Sequence, residues 1–123
     1  CSSDLARKYL DHGILVTSSS DVESTVSADP FRAMYSLVTR KNAEGLEIAP
    51  DQAVSREEAL ASYTSAGTWL TREENLKGTI ETGKLADAVV LDRDFFDVTD
   101  EELKEIKVDA TIVGGKVLYE REF

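Results

Sequence analysis

The pattern of apolar residues changes at Gly78, and this change limits the folds that the 123-residue chain can adopt. Before Gly78, apolar residues recur at helical spacing, as in residues 31–38. After it, short β-rich runs alternate with turn residues, and the last two runs flank Gly114 and Gly115. A Gly-Gly pair suits a tight hairpin turn because such a turn needs positive φ angles. The sequence therefore predicts an α/β chain, mainly helical up to Gly78 and mainly β after it.

The N-terminal stretch predicts a short helix followed by a buried strand. The helix ends near His12, and Gly13 suits the left-handed position after a helix. Residues 14–17 form a short apolar run that is typical of a buried strand, and three serines then lead to Asp21. Functional sites in α/β proteins gather in loops at the carboxyl ends of strands, so the loop that ends in Asp21 is a candidate site.

Capping patterns predict two further helices. Asp29 can cap a helix whose first residue is Pro30, because the missing N–H of proline has no intrahelical partner at that position. Ser55 and Glu58 form a capping box, in which each side chain accepts the backbone N–H of the other residue. Residues 42–54 lack a regular period and predict a loop between these two helices.

The region around Gly78 and beyond it predicts one more helix, a strand and several turns. Residues 71–74 repeat the capping-box pattern and predict a short helix that ends at Gly78. Residues 85–91 predict a strand, and the acidic run over residues 97–105 is interpreted as a solvated face. Four glycines are interpreted as turn or helix-end residues rather than as a phosphate loop, namely Gly78, Gly83, Gly114 and Gly115.

The charge and the residue counts exclude several classes of function. The chain has 14 Lys+Arg against 24 Asp+Glu, a net charge of −10, so it lacks the cations that nucleic acid or an anionic membrane requires. No apolar run approaches the ~20 residues that cross a bilayer. One Cys and one His exclude a disulfide framework and a complete zinc or iron enzyme. We expect a cytoplasmic protein, with a lipid anchor at Cys1 as the alternative.

Asp21 is the position that physical chemistry singles out. It follows the predicted strand, where a carboxylate can reach a site at the mouth of a barrel. As a metal ligand it would stay ionised, and it could accept a proton from metal-bound water. The competing interpretation is a loop cap, because aspartate after serine often has that role. His12 is interpreted as a helix-end residue rather than as a catalytic one.

Four separated stretches together resemble the C-terminal part of the metal-dependent amidohydrolase superfamily, in particular its long, exoenzyme-regulator-like branch. Residues 12–21 (HGILVTSSSD) are similar to the family's last barrel strand and its Gly-Ser-Asp ending. Residues 55–66 (SREEALASYTSA) resemble the helix that follows the barrel. Residues 77–92 (KGTIETGKLADAVVLD) resemble the return into the small β domain, and residues 109–119 (DATIVGGKVLY) its closing hairpin.

The resemblance implies the end of a (β/α)8 TIM-barrel metal-dependent hydrolase plus part of its small β domain. Residues 1–78 would supply the last barrel strand and the following helices, and residues 79–123 the C-terminal part of the small β-sandwich (composite) domain. Family members hold one or two divalent metals, usually zinc, whose activated water attacks an amide or related C–N bond. Asp21 matches the family's aspartate after the last strand, which binds metal or its hydroxide and passes the proton to the leaving nitrogen.

The resemblance also implies a C-terminal segment rather than a whole enzyme. The family's His-x-His pair, bridging lysine and later histidines lie on earlier strands, and a complete barrel needs about 250 residues. The expected partners are the missing N-terminal part of the barrel and a small-molecule substrate, with no nucleic acid and no membrane. The isolated chain is expected to bind no metal and to hydrolyse nothing. Its unpaired strand predicts association with a second copy, or disorder before Asp29.

The sequence departs from the family pattern beside Asp21. Ser19 stands where the family has glycine, and the proline that often follows the aspartate is absent from residues 22–24. Both differences bear on the loop geometry and on activity. Arg40 could face the substrate or form a structural ion pair. The alternative function is a stand-alone, non-catalytic interaction module, and an upstream coding sequence for a barrel with His-x-His would favour the enzyme instead.

Overall fold

The computed structural model describes residues 5–20 and 28–122, which form a small α/β structure. The α-helices are α1 (Ala6–Asp11), α2 (Pro30–Thr39), α3 (Arg56–Tyr63) and α4 (Ser65–Thr71). The first 3₁₀ helix spans Pro50–Gln52 and the second spans Asp100–Glu105. The strands are β1 (Ala88–Leu91), β2 (Val108–Val113) and β3 (Lys116–Glu120). The change from helix to strand after Gly78 is therefore confirmed. Within the described ranges, no helix has the length and apolar character that a membrane span requires.

The hydrophobic core forms where α2 packs against α3 and the second 3₁₀ helix. Leu103, on the second 3₁₀ helix, is completely buried. The core includes residues from both sides of Gly78, so the helical part and the β part share it. The division into residues 1–78 and 79–123 stays a prediction. The buried members of the core are Ala6, Phe31, Met34, Tyr35, Val54, Ala59, Phe95, Leu103 and Ile106.

The starts of α2 and α3 are capped as the sequence predicts. Asp29 Oδ1 accepts the backbone N–H of Phe31 at 2.9 Å, and Pro30 occupies the first turn. At α3, the Glu58 N–H donates to Ser55 Oγ at 3.2 Å, and the Ser55 N–H donates to Glu58 Oε2 at 2.8 Å. Each bond satisfies an N–H that has no partner inside the helix.

Glu58 also ties α1 to α3. The Nη1 atom of Arg7 lies 2.8 Å from Oε1 and 2.7 Å from Oε2 of Glu58. The Ser55 N–H, and after it the Arg7 guanidinium, hold the pKa of Glu58 below its ordinary value, against the opposing effect of partial burial. The carboxylate that caps α3 therefore also fixes the helix that precedes the serines.

Residues 14–17 do not form the predicted buried strand. Residues 14–20 have neither helical nor strand structure, and the side chains of Ile14 and Leu15 are 52% and 46% exposed. A strand needs hydrogen-bonded neighbours, and the three strands of the described chain pair among themselves in a separate sheet. An apolar run without a partner strand therefore remains an extended, exposed connection. The helix before it and the positive φ of Gly13 (71°) are confirmed.

The second capping-box pattern, over residues 71–74, does not begin a helix. Thr71 is the last residue of α4, and Arg72 follows it in the left-handed conformation with φ 60°. An N-cap residue has non-helical backbone angles, whereas Thr71 belongs to α4, so Thr71 does not have that role. The chain turns instead, and the Glu73 N–H donates back to the Thr68 carbonyl at 2.8 Å.

The three strands form an antiparallel sheet in the order β1-β2-β3. Gly114 and Gly115 have φ angles of 57° and 77° and form the predicted hairpin turn between β2 and β3. Asp87 Oδ1 accepts the Gly114 N–H at 2.7 Å, which ties this turn to the residue before β1. Several large apolar side chains of the sheet are about half exposed or more, namely Val89, Val90, Val117, Leu118 and Tyr119.

Gly78 is predicted to be the least replaceable glycine of the turns. Its φ is 100°, and a Cβ atom there would lie 2.6 Å from Thr68 Oγ1 and 2.7 Å from Thr68 Cγ2. Thr68 is itself buried, so it cannot swing away. Gly78→Ala should lower the free energy of unfolding through backbone strain of about 1–2 kcal/mol and overpacking of about 1–3 kcal/mol.

The matched control is Gly83→Ala, measured beside Gly78→Ala by urea unfolding. Gly83 has φ 95°, but nothing lies within 4 Å of the added Cβ. Gly83→Ala should therefore lower the free energy of unfolding through backbone strain alone. Equal losses of stability in the two variants would contradict the predicted collision with Thr68.

Candidate functional site

Asp21, the predicted catalytic and metal-binding residue, lies outside the described residues. The chain that leads to it is described, and its last part, residues 18–20, is named here the serine segment. The Ser18 N–H donates to the carbonyl of Ser62, near the end of α3, at 3.0 Å. Ser62 is buried, and its hydroxyl donates to the Ala59 carbonyl at 2.7 Å. The path toward Asp21 is therefore anchored to a buried helix end.

A cleft of about 700 Å³ runs beside the serine segment. It is lined by Ser19 and Ser20, by residues of α2, by the turn at residues 42–45 and by the second 3₁₀ helix. Its volume lies within the range of about 300–1,000 Å³ that small-molecule sites occupy. Ser19 and Ser20 thus border a space of the size that holds a small molecule.

Glu101 organises the charged wall of this cleft. Its carboxylate lies 2.9 Å from Lys41 Nζ and 2.8 Å from Lys104 Nζ. It also accepts the Tyr35 hydroxyl at 3.1 Å, and Lys104 Nζ stands 4.6 Å from the centre of the Tyr35 ring. These contacts, named here the Glu101 cluster, join α2 and Lys41, which follows its C-cap residue, to the second 3₁₀ helix.

The contacts of the Glu101 cluster favour the charged form of Glu101, Lys41 and Lys104. Hydrogen bonds from Lys104, Lys41 and Tyr35, in that order, lower the pKa of Glu101 to about 2. The bond to Glu101 raises the pKa of both Lys41 and Lys104. A carboxylate with so low a pKa is a weak base, and ammonium groups with raised pKa values are weak acids near neutral pH. The cluster therefore holds two elements together and is not suited to proton transfer.

Arg40 lies in a second, smaller cleft of about 230 Å³, which Ser18, Ser19 and Tyr63 also line. Arg40 is only 7% exposed, and it ends α2 in the left-handed conformation with φ 57°. Its Nε donates to the Ile48 carbonyl at 3.1 Å, and the Ile48 N–H donates to the Arg40 carbonyl at 2.8 Å. Arg40 thus closes the loop that follows α2 while its side chain borders the serine segment.

His12 and the acidic residues make no metal site in the described part of the chain. His12 is exposed at the end of α1, with Nδ1 2.8 Å from the Lys8 carbonyl, as expected for a helix-end histidine. Across residues 5–20 and 28–122, no three His, Cys, Asp or Glu residues come together as metal ligands would. Any metal held by these residues would need ligands from elsewhere.

The Glu101 cluster is the feature that the sequence interpretation missed. Residues 97–105 were expected to be a solvated face, and Tyr35 was part of an apolar stripe. The spacing of Glu101 and Lys104 does indicate a helical ion pair. The contacts to Tyr35 and Lys41 join residues 66 and 60 positions apart, and no local pattern carries that information.

Comparison with known proteins identifies relatives over nearly the whole chain. The family model described as "Amidohydrolase family" matches residues 2–119. An N-substituted formamide deformylase of Arthrobacter pascens is 37% identical over 115 residues, which are 94% of this chain and 21% of that protein. A Bacillus subtilis protein named as an amidohydrolase, YtcJ, is 27% identical over 118 residues, which are 94% of this chain and 22% of that protein.

A solved structure shares the fold. The crystal structure of an amidohydrolase from Thermotoga maritima superposes with a TM-score of 0.73 at 20% sequence identity. The match covers 97% of this chain and 26% of that one. The chain therefore spans about a fifth to a quarter of the length of the proteins that it resembles.

The Glu101 cluster predicts a pH-dependent part of the folding stability. The pKa of Glu101 falls from 4.5 to about 2 on folding, so its stabilisation is complete above pH 4.5 and is lost as the pH falls toward 2. Glu101→Gln should lower the urea midpoint at pH 6 and flatten its decline between pH 4.5 and 2. Glu74→Gln, at an exposed position, is the control and should keep the decline. An unchanged pH profile in Glu101→Gln would refute the role of the cluster.

Proposed function

The chain belongs to the amidohydrolase family, and from this premise we propose that it is the C-terminal part of a metal-dependent hydrolase acting on non-peptide C–N bonds. The observation that carries the proposal is the family match over residues 2–119, together with 37% identity to an N-substituted formamide deformylase. The chain spans only 21% of that relative, so the complete enzyme would need a longer polypeptide. The N-terminal remainder of that polypeptide is the proposed partner of this chain.

Residues 14–17 supply the argument for a missing barrel. They are apolar in sequence, yet Ile14 and Leu15 are about half exposed and pair with no strand of the described chain. Neighbouring strands from the rest of the polypeptide would both bury these side chains and pair their backbone. We therefore assign residues 1–78 to the last barrel strand with its following helices, and residues 79–123 to the C-terminal part of the small β-sandwich domain.

Asp21 is the proposed catalytic residue of this chain. Ser19 and Ser20, which precede it in the sequence, line the 700 Å³ cleft, and the bond from the Ser18 N–H to the Ser62 carbonyl anchors the serine segment. When bound, a divalent metal, for which we propose zinc, supplies Lewis acidity and an activated water. The described residues provide no metal cluster, so the ligands would be Asp21 and residues from the remainder of the polypeptide. Asp21 would accept one proton from the attacking water and deliver it to the leaving nitrogen, so that the amine departs neutral.

An N-substituted formamide is the first substrate class to test. The relative that is 37% identical carries that class in its name, and hydrolysis of such an amide yields formate and an amine. The cleft beside the serine segment has room for a small organic substituent.

Replacing Asp21 by asparagine should strongly slow hydrolysis by the product of the complete reading frame. Asparagine keeps the size of the side chain but cannot carry the proton, so kcat should fall by about 10²–10⁴-fold. The measurement is amine release from an N-substituted formamide, with the bound metal determined in parallel. Asp97→Asn, at an exposed position, is the matched control and should keep wild-type activity.

The 123-residue chain by itself should release no amine from the same formamide, because the metal ligands and the other substrate loops are proposed to lie elsewhere. Measurable hydrolysis by this chain alone would contradict the assignment as a segment. If the complete product is folded but holds no metal and hydrolyses no amide, the alternative of a non-catalytic interaction module is favoured. The exposed apolar side chains of the sheet would suit such a module.

A further inference from the structure

In the described chain, β3 is the strand whose residues are all exposed, with Leu118 at 68% and Val117 at 59%. It pairs with β2 alone in the part of the chain that the structure describes, so it is an edge strand of the sheet. An edge strand presents backbone N–H and C=O groups to which a further strand can bond. β3 contains no proline, which would remove a donor from this edge. The strand can therefore accept another strand beside it.

The side chains of β3 make this strand complementary to a second copy of itself. Lys116 and Glu120 stand at its two ends, and Leu118 lies midway between them. In an antiparallel pair of β3 strands centred on Leu118, Lys116 lies opposite the partner's Glu120 at both ends of the pair. The same register places Val117 opposite the partner's Tyr119. Opposite charges, and an aromatic residue facing a β-branched one, are cross-strand pairs that stabilise a sheet.

The charges also disfavour the other ways in which two sheets could meet edge to edge. A shift of one residue toward the C-terminus places Lys116 opposite the partner's Arg121, and like charges directly opposite one another destabilise a strand pair. At the other edge, β1 lies between Asp87 and Asp92, so an antiparallel pair of β1 strands would bring carboxylates together. The chain carries a net charge of −10, and two copies therefore repel each other except along a neutral strip such as β3.

We propose that the open edge of β3 is an interface at which two copies of this chain pair antiparallel, with Leu118 at the two-fold axis. The two three-stranded sheets then form one continuous sheet across the dimer. A two-fold contact is closed, so association stops at two copies. One pair of short strands buries little surface, and we expect a dissociation constant on the order of 10 μM. The proposed hydrolysis does not depend on this contact.

The first test places a charge at the centre of the contact, in the product of the complete reading frame. Leu118→Lys brings two ammonium groups together at the two-fold axis, and the exposure of Leu118 lets the fold tolerate the change. The dissociation constant of the dimer, measured by sedimentation velocity, should rise by about 100-fold. Val89→Lys is the matched control, because Val89 is 53% exposed on β1 at the opposite edge. It should change the dissociation constant by less than about threefold.

The second test exchanges the charges at the two ends of β3. Lys116 and Glu120 lie opposite Val113 and Ala110 on β2, so exchanging them disturbs no charge pair between these two strands. Lys116→Glu and Glu120→Lys should each weaken the dimer by about tenfold, because each places like charges opposite one another at both ends. The double variant restores opposite charges and should return to within about threefold of the wild type. Lys107→Glu, at an exposed position before β2, controls for the change in net charge.

Three results would overturn the interface. The first is a wild type that stays monomeric up to about 200 μM, in which case the register shift between β2 and β3 at Leu118 protects the edge. The others are a dimer that survives Leu118→Lys and a double variant as weak as the single ones, since the copies then meet elsewhere.

Amine release from an N-substituted formamide, measured on the same samples, separates this proposal from the proposed function. Loss of the dimer in Leu118→Lys should leave kcat at the wild-type value. A wild type that dimerises through β3 and hydrolyses no amide would refute the proposed function and leave the interface in place. An active monomer would do the reverse.

Discussion

The packing of α2 against the second 3₁₀ helix is the interaction on which the rest of the structure depends. Phe31, Met34 and Tyr35 project from α2 into a core that also holds Leu103 and Ile106. Burial of each large apolar side chain contributes about 1.5–3 kcal/mol, far more than an exposed ion pair. Since α2 comes before Gly78 and the 3₁₀ helix after it, this contact joins the helical part to the β part. It also brings Glu101 to Tyr35 and Lys41, so the cluster follows from the packing.

The two ends of α2 have different consequences for the proposed site. Asp29 caps the N-terminus of α2 and thereby fixes the residue at which this helix begins, downstream of Asp21. Arg40 ends the helix in a left-handed conformation, which sends the chain into the loop that Ile48 closes. The serine segment lies beside this second end and is anchored to Ser62 of α3. In the described chain, the serine segment is thus positioned by helix ends, and the strand proposed before it needs the rest of the polypeptide.

Local chemistry predicted the helix caps and the hairpin, and it failed where a distant partner was needed. The caps at Asp29 and Ser55 use atoms within three residues, and the Gly114 turn needs only positive φ angles. Residues 14–17 have the composition of a buried strand, but a strand requires neighbours that the described chain does not provide. The pattern at residues 71–74 resembles a helix start, but Thr71 is the last residue of the preceding helix, α4.

The sequence by itself determined the change from helix to strand after Gly78, the capped helix starts, the turn at Gly114 and membership of the amidohydrolase family. These properties depend on atoms a few residues apart or on the order of motifs along the chain. Only the tertiary structure decided that Glu101 joins Lys41, and that Arg40 is buried beside the serine segment. The physical reason is that such contacts arise when α2 packs in the core, and packing brings together residues whose separation along the chain leaves no local pattern.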